Sequence, residues 1–167
     1  MPEGPEIRRA RDRISKVLVG KEIIESNFYY ERIRKNEELV KNTNIKDITT
    51  IGKAMLIRFK NDWSMYSHNQ LYGRWTVNLN TTKITSRRAL RVVFKTNKHT
   101  VRLWSATDID LIPTSQEDEH PFLKKIGPDV LNESCSFELI EKRLMSKRFQ
   151  KKKASTLMLD QAVFAGL

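Results

Sequence analysis

Ile7, Ala10, Ile14, Val17 and Leu18 recur at the spacing of one helical face, and Gly20 follows as a stop. The spacing predicts an amphipathic helix over 5–19. Beyond it the apolar positions shorten into runs rich in β-branched and aromatic residues, over 23–30, 45–51, 54–59, 64–68, 74–79, 89–95 and 100–104. Such runs read as strands. Asn61-Asp62 and Asn97-Lys98 supply the tight turns between neighbours. Seven short strands at close spacing predict an antiparallel sandwich or barrel. The pattern changes near Asp108, and the polar stretch 113–119 reads as a linker. Three helices are expected after it: a short one over 122–126, one carrying Phe137, Ile140 and Leu144 with Ser136 as N-cap, and one from Leu157 through Phe164. The sequence holds no internal repeat and no low-complexity tract.

Charge narrows the partners. Lys and Arg number 31 against 20 Asp and Glu, a formal net charge of +11, and that excess favours a polyanion such as nucleic acid. Residues 142–153 hold seven of the basic residues and no acid. They read equally as a phosphate-contacting surface or as a solvated face. No apolar run is long enough to span a membrane, and the N-terminus lacks the apolar core of a secretory signal. Cys135 is the only cysteine, which excludes an internal disulfide and a cysteine-rich metal site. A reducing, cytoplasmic location is expected.

The candidate chemistry begins at the first residues, Met1-Pro2-Glu3-Gly4-Pro5-Glu6. Removal of Met1 would leave Pro2 with a free secondary amine, a nucleophile towards carbonyl carbons that condenses to an iminium. Glu3 and Glu6 stand beside it as possible proton carriers. The same residues also make an ordinary helix start, since Pro and Glu both suit a first turn. Lys53 follows Gly52 in a turn between two strands. The loop Ser67-His68-Asn69-Gln70-Leu71-Tyr72-Gly73 carries an apolar pair at its tip, suited to wedging into a base stack. The pair would equally begin the next strand. His99 and His120 read as structural or surface residues, and Asp160 as a buried, hydrogen-bonded structural group.

The ordered set of Pro-Glu-Gly-Pro-Glu at 2–6, Gly52-Lys53-Ala54, Tyr66 to Gly73, Gly127-Pro128-Asp129-Val130-Leu131, Leu159-Asp160-Gln161 and Ala165-Gly166-Leu167 resembles the formamidopyrimidine-DNA glycosylase and endonuclease VIII family. The resemblance covers essentially the whole chain, and the Gln70-Leu71-Tyr72 loop is similar to the endonuclease VIII branch. It implies an α+β fold: an N-terminal helix on a two-layer antiparallel β-sandwich, then an incomplete helical domain of helix-two-turn-helix type. The implied domains are a catalytic sandwich over 1–120 and a partial DNA-binding domain over 121–167.

The implied activity is base-excision repair: a DNA glycosylase with abasic-site lyase activity that removes oxidised pyrimidines from duplex DNA. Pro2 would attack the sugar C1′, Glu3 would protonate the ring oxygen, Glu6 would support them and Lys53 would hold a flanking phosphate. His68, Asn69, Gln70, Leu71 and Tyr72 would contact DNA, with the last three filling the space of the flipped nucleotide. No redox cofactor or catalytic metal is implied. The family's usual structural zinc belongs to a region beyond Leu167, so the chain is expected to be C-terminally truncated, a monomer with a tendency to self-associate. The alternative is a weakly DNA-binding remnant with little glycosylase activity. An unrelated basic RNA-binding β-domain fits the charge but not the ordered motifs.

Overall fold

Two four-stranded antiparallel sheets stack face to face in the computed structural model, which describes residues 2–166. Strands β1 (Glu25–Phe28), β5 (Arg74–Leu79), β6 (Leu90–Lys95) and β7 (His99–Trp104) form one sheet in the order β1-β6-β7-β5. Strands β2 (Ile45–Ile51), β3 (Ala54–Phe59), β4 (Trp63–His68) and β8 (Asp108–Pro113) form the other, in that order. Alternation along β3 shows how the layers divide. Met55, Ile57 and Phe59 enter the main core with Phe94, Val101 and Leu103 of the facing sheet, whereas Ala54 and Leu56 face outward beside Tyr66. That outer face is covered by Phe122 and Leu123, so β3 is buried on both sides.

Each seam of the sandwich is closed by a helix. Helix α1 (Gly4–Leu18) buries Ile7, Ala10, Ile14 and Leu18 and lies against the edge strands β2 and β5. Helix α2 (Glu31–Arg34) lies against the opposite edges, β1 and β8. Exposed edges are templates for unwanted pairing, and these helices cover them. Burying each of Ile7, Ile14 and Leu18 contributes roughly 1.5–3 kcal/mol.

Strands β2, β3 and β5 match the pattern-based ranges, and α1, β4, β6 and β7 match to within one residue. Four expectations are corrected. The first strand is shorter than 23–30, because Tyr30 turns the chain into α2. The stretch over 113–119 is no free linker: Asp108–Pro113 pairs with β4 as an eighth strand, and Thr114–Glu119 forms a 3-10 turn. Glu117 docks that turn on the sheet through a two-pronged ion pair with Arg58, at 2.6 and 2.8 Å. Residues 122–126 form turns rather than a helix. The last helix, α4 (Ala154–Leu159), stops well before Phe164. There Asp160 accepts the Ala162 amide at 2.9 Å, its side chain about 30% exposed, so it is structural as expected but only partly buried.

Helix α3 (Phe137–Leu144) forms as expected, with the Ser136 hydroxyl accepting the Leu139 amide at 3.2 Å. Phe149, Val163 and Phe164 build a separate apolar cluster that α3 and α4 flank through Ile140, Leu144 and Leu157. Leu157 and Phe164 therefore have packing partners among the described residues. The large apolar side chains left in solvent here are Phe137, Leu139, Met145, Met158 and Leu159.

Candidate active site

One end of the β2-β3-β4-β8 sheet gathers the sequence motifs. Ala54 pairs with His68 and His68 with Asp108, so the β2–β3 turn, the loop after β4 and the loop before β8 emerge side by side. The start of α1 joins them. Lys53 projects from the turn and forms an ion pair with the Glu3 carboxylate; its side chain is only 14% exposed, against 46% for Glu3. Pro2, next to Glu3, is half-buried. Glu6 turns away to a capping role. It accepts the Glu3 amide at 2.8 Å and pairs with Arg9 at 3.0 Å, and it is exposed.

The segment near the end of the described chain knits this corner together. A Cβ on Gly4 would lie 2.5 Å from the Gly166 carbonyl oxygen, so only glycine permits the approach. Gly52, at φ +57°, packs against Ala165, Gln161 and Ile126. Asp129 is the tie between them. Its carboxylate accepts the Gly52 amide at 2.7 Å and the Leu131 amide at 2.8 Å, while Ala165 bridges to Asp129 in parallel. Asp129 thus fixes the backbone from which Lys53 springs. The Gly-Pro-Asp motif was visible in the sequence, but its contact with a distant main-chain amide was not.

The loop after β4 is short and tightly held. The Asn69 carbonyl accepts the Gly73 amide at 2.7 Å, closing the turn. Gln70 sits at φ +49°, its amide donating to His68 Nδ1 at 3.0 Å and its side-chain oxygen accepting from Thr107 at 2.7 Å. Asn69 is buried, whereas Leu71 and Tyr72 are 61% and 67% exposed at the tip. They do not simply begin the next strand, which starts at Arg74.

His68 is half-buried edge-on against Phe122, with ring centroids 5.3 Å apart. Burial pushes its imidazole below the ordinary histidine range; Asp108 opposes that shift and Lys53 adds to it. Behind it runs a partly buried chain of polar groups that the sequence pattern did not reveal. Tyr66 donates to Asp108 at 3.2 Å, His120 lies over the Tyr66 ring at 4.0 Å, and His120 meets Asp110 at 3.1 Å. Asp110 in turn pairs with Arg32 at 2.7 Å. Burial, reinforced by Asp108, pushes the Tyr66 hydroxyl pKa up, so it stays a neutral donor. His120 is structural, as read from the sequence, while His99 sits half-exposed at the start of β7.

Among the described residues no group of three or more His, Cys, Asp or Glu stands close enough to hold a metal ion, and no helix is long and apolar enough to cross a membrane. Cys135 is free and has no second thiol to join it, so these residues do not fit a cysteine zinc set.

The comparisons with known proteins bear on this corner. Residues 1–108 match the formamidopyrimidine-DNA glycosylase N-terminal domain. The chain is 40% identical over 167 residues to endonuclease 8 of Escherichia coli strains 55989 and IAI1, covering all of this chain and 64% of theirs. It therefore spans about 64% of the length of those relatives. The fold is similar to that of a Lactococcus lactis formamidopyrimidine-DNA glycosylase bound non-covalently to DNA containing an abasic site. That match has a TM-score of 0.80 at 22% identity and covers 99% of this chain and 64% of that one. The wild-type Lactococcus lactis glycosylase with DNA containing N7-benzyl-Fapy-dG gives a TM-score of 0.78 at 24% identity, covering 99% and 63%.

Proposed function

The chain belongs to the formamidopyrimidine-DNA glycosylase family, and on that premise we propose that it carries the catalytic half of a base-excision repair enzyme acting on oxidised pyrimidines in duplex DNA. The division into a catalytic sandwich over 1–120 and a DNA-binding part from 121 belongs to the same reading. The observation that carries it is the ion pair of Lys53 with Glu3 beside Pro2, at the sheet end from which Leu71 and Tyr72 protrude.

In this reading the Pro2 amine, freed of Met1, forms a bond to C1′ and the damaged base departs with the electron pair of the glycosidic bond. Glu3 takes up the proton that the Pro2 nitrogen loses on bonding to C1′ and delivers it to the ring oxygen as the sugar opens, leaving an iminium on Pro2. Loss of the C2′ proton then expels the 3′ phosphate, and a second elimination expels the 5′ phosphate. Water finally releases the sugar fragment and restores the amine. Lys53 has two anionic partners in turn. A DNA phosphate competes with Glu3 for its ammonium, so substrate entry frees the Glu3 carboxyl for its proton transfer. Leu71 and Tyr72 fill the gap left by the everted nucleotide, whose extrusion costs a few kcal/mol of stacking and pairing. Glu6, bound to the Glu3 amide and Arg9, supports the corner by orienting Glu3. His68 and Asn69 act from within the fold by shaping the loop that meets DNA.

Borohydride reduction of a mixture with abasic DNA tests the nucleophile. A covalent adduct on the N-terminal peptide is expected, and an added residue before Pro2 should abolish it, because the nitrogen becomes an amide. Equal trapping by the blocked protein rejects Pro2 and points to Lys53. In the same assay Glu3→Gln should slow base excision about 100-fold or more, the usual weight of a positioned acid. It should slow cleavage at a preformed abasic site less, whereas Lys53→Ala should slow both.

A further inference from the structure

Gln70 occupies the left-handed region at φ +49°, which a residue with a Cβ holds only when its surroundings compel it. The loop 69–73 is therefore shaped by its neighbours. Two of them are His68 and Thr107. The third comes from the long segment between β5 and β6, where the Arg88 guanidinium Nη1 donates to the Tyr72 carbonyl oxygen at 2.6 Å. That segment is itself pinned at this end. The Arg88 amide donates to the Ser86 hydroxyl at 3.1 Å, and the Ser105 amide to the Ala89 carbonyl at 2.7 Å. Ser105 and Thr107 share the loop before β8, so one short loop supports both the Gln70 side and the Arg88 side of the tip.

We propose that Arg88 is a positioning residue: by holding the Tyr72 carbonyl it keeps Leu71 and Tyr72 projecting into solvent before DNA arrives. This rests on the reading of that tip as a wedge. The Tyr72 side chain is left free, since Arg88 binds the main chain, and the pair stays 61% and 67% exposed without collapsing onto the sheet. A charge-assisted hydrogen bond is stronger than a neutral one, so a single exposed contact suffices to bias the loop. An ordered tip enters a base stack without first losing conformational freedom.

The test uses the 167-residue chain and the variants Arg88→Ala, Arg88→Lys and Leu71→Ala. In the free protein, exchange of the Gly73 amide, which closes the turn on Asn69, should speed up about fivefold to tenfold in Arg88→Ala, as expected for loss of one such bond. It should return close to the parent rate in Arg88→Lys, which keeps one charged donor. Unchanged exchange in Arg88→Ala overturns the proposal. With a duplex carrying 2-aminopurine opposite a tetrahydrofuran abasic site, Arg88→Ala should slow the fluorescence rise of unstacking by a similar factor. Arg88→Lys should restore it and Leu71→Ala should abolish it. If Leu71→Ala leaves that rise intact, the wedge reading fails, while the exchange result still decides the brace. The salt slope for binding undamaged duplex should be the same in Arg88→Ala and the parent. A slope lower by about one phosphate contact overturns positioning in favour of direct DNA contact.

Discussion

At the scale of single residues, protonation state is built into the loop that carries the tip. His68 Nδ1 accepts the Gln70 amide, so the ring must be unprotonated at that nitrogen. Burial lowers the pKa of His68, against the pull of Asp108 and with the help of Lys53. A histidine whose folded pKa is depressed contributes stability that is fully present above its unfolded value, about 6.5, and is lost as pH falls through the folded value. Acidification below about pH 6.5 should therefore destabilise the fold, through the loop before the rest. Thermal midpoints between pH 7.5 and 5 would show it when compared with His68→Gln, whose amide oxygen can still accept from Gln70 but takes up no proton. The parent should lose more stability on acidification than the variant, and parallel curves would sink the assignment. Phe122, against which the ring rests, carries no charge and leaves Asp108 and Lys53 as the groups that set the balance.

At the scale of elements, the corner is held by contacts between segments distant in sequence. The start of α1, the β2–β3 turn and the stretch 163–166 meet where Gly4 abuts Gly166 and Asp129 binds the Gly52 amide. Gly4→Ala would force a methyl group against the Gly166 backbone, and overpacking of this kind costs about 1–3 kcal/mol. Asp129→Ala would leave two partly buried amides without acceptors, at about 1–3 kcal/mol each. Denaturant unfolding should show both losses, and Asp129→Ala should also weaken borohydride trapping by displacing Lys53. An Asp129→Ala chain with the parent's stability and trapping would refute the clamp. These contacts also mark the limit of what the sequence revealed. Strands β2, β3 and β5 were legible because their apolar runs and flanking turns mark them out. Strand β8 was missed because Asp108 and Asp110 occupy its polar positions, and acidic residues are depleted in strands. Their carboxylates are met by Tyr66, His120 and Arg32, which the fold alone brings near. The ordered motifs pointed to Pro2, Glu3, Lys53 and the Leu71-Tyr72 tip. Arg88 and Asp129 drew no role from the sequence because each binds a main-chain atom, and such contacts leave no pattern in side-chain identity.

At the scale of the whole molecule, the proposed function would grip DNA through excess charge and through the length of chain available to contact it. Of the basic run 142–153, Arg143, Arg148 and Lys152 gather around the Phe149 ring, at 5.7, 4.9 and 5.4 Å from its centroid. Arg143 also donates to the Ala162 carbonyl and Lys152 pairs with Asp160, so part of the run is structural. Lys142, Lys147, Lys151 and Lys153 remain exposed and suit a phosphate backbone. Met158 and Leu159 at the end of α4 stand 54% and 87% exposed, an apolar surface of the kind that another part of a protein covers. The chain spans 64% of the Escherichia coli relatives' length. Extending it by the sequence corresponding to the rest of those relatives should therefore do three things. Sedimentation should show less self-association as Met158 and Leu159 become covered. Each added phosphate contact should steepen the dependence of binding on salt by about 0.9 in log–log slope. Excision of an oxidised pyrimidine from duplex DNA should rise far more than cleavage at a preformed abasic site, because only excision must meet the full cost of extruding a paired base. Matching excision rates and matching salt slopes for the two lengths would show that the 167 residues suffice on their own.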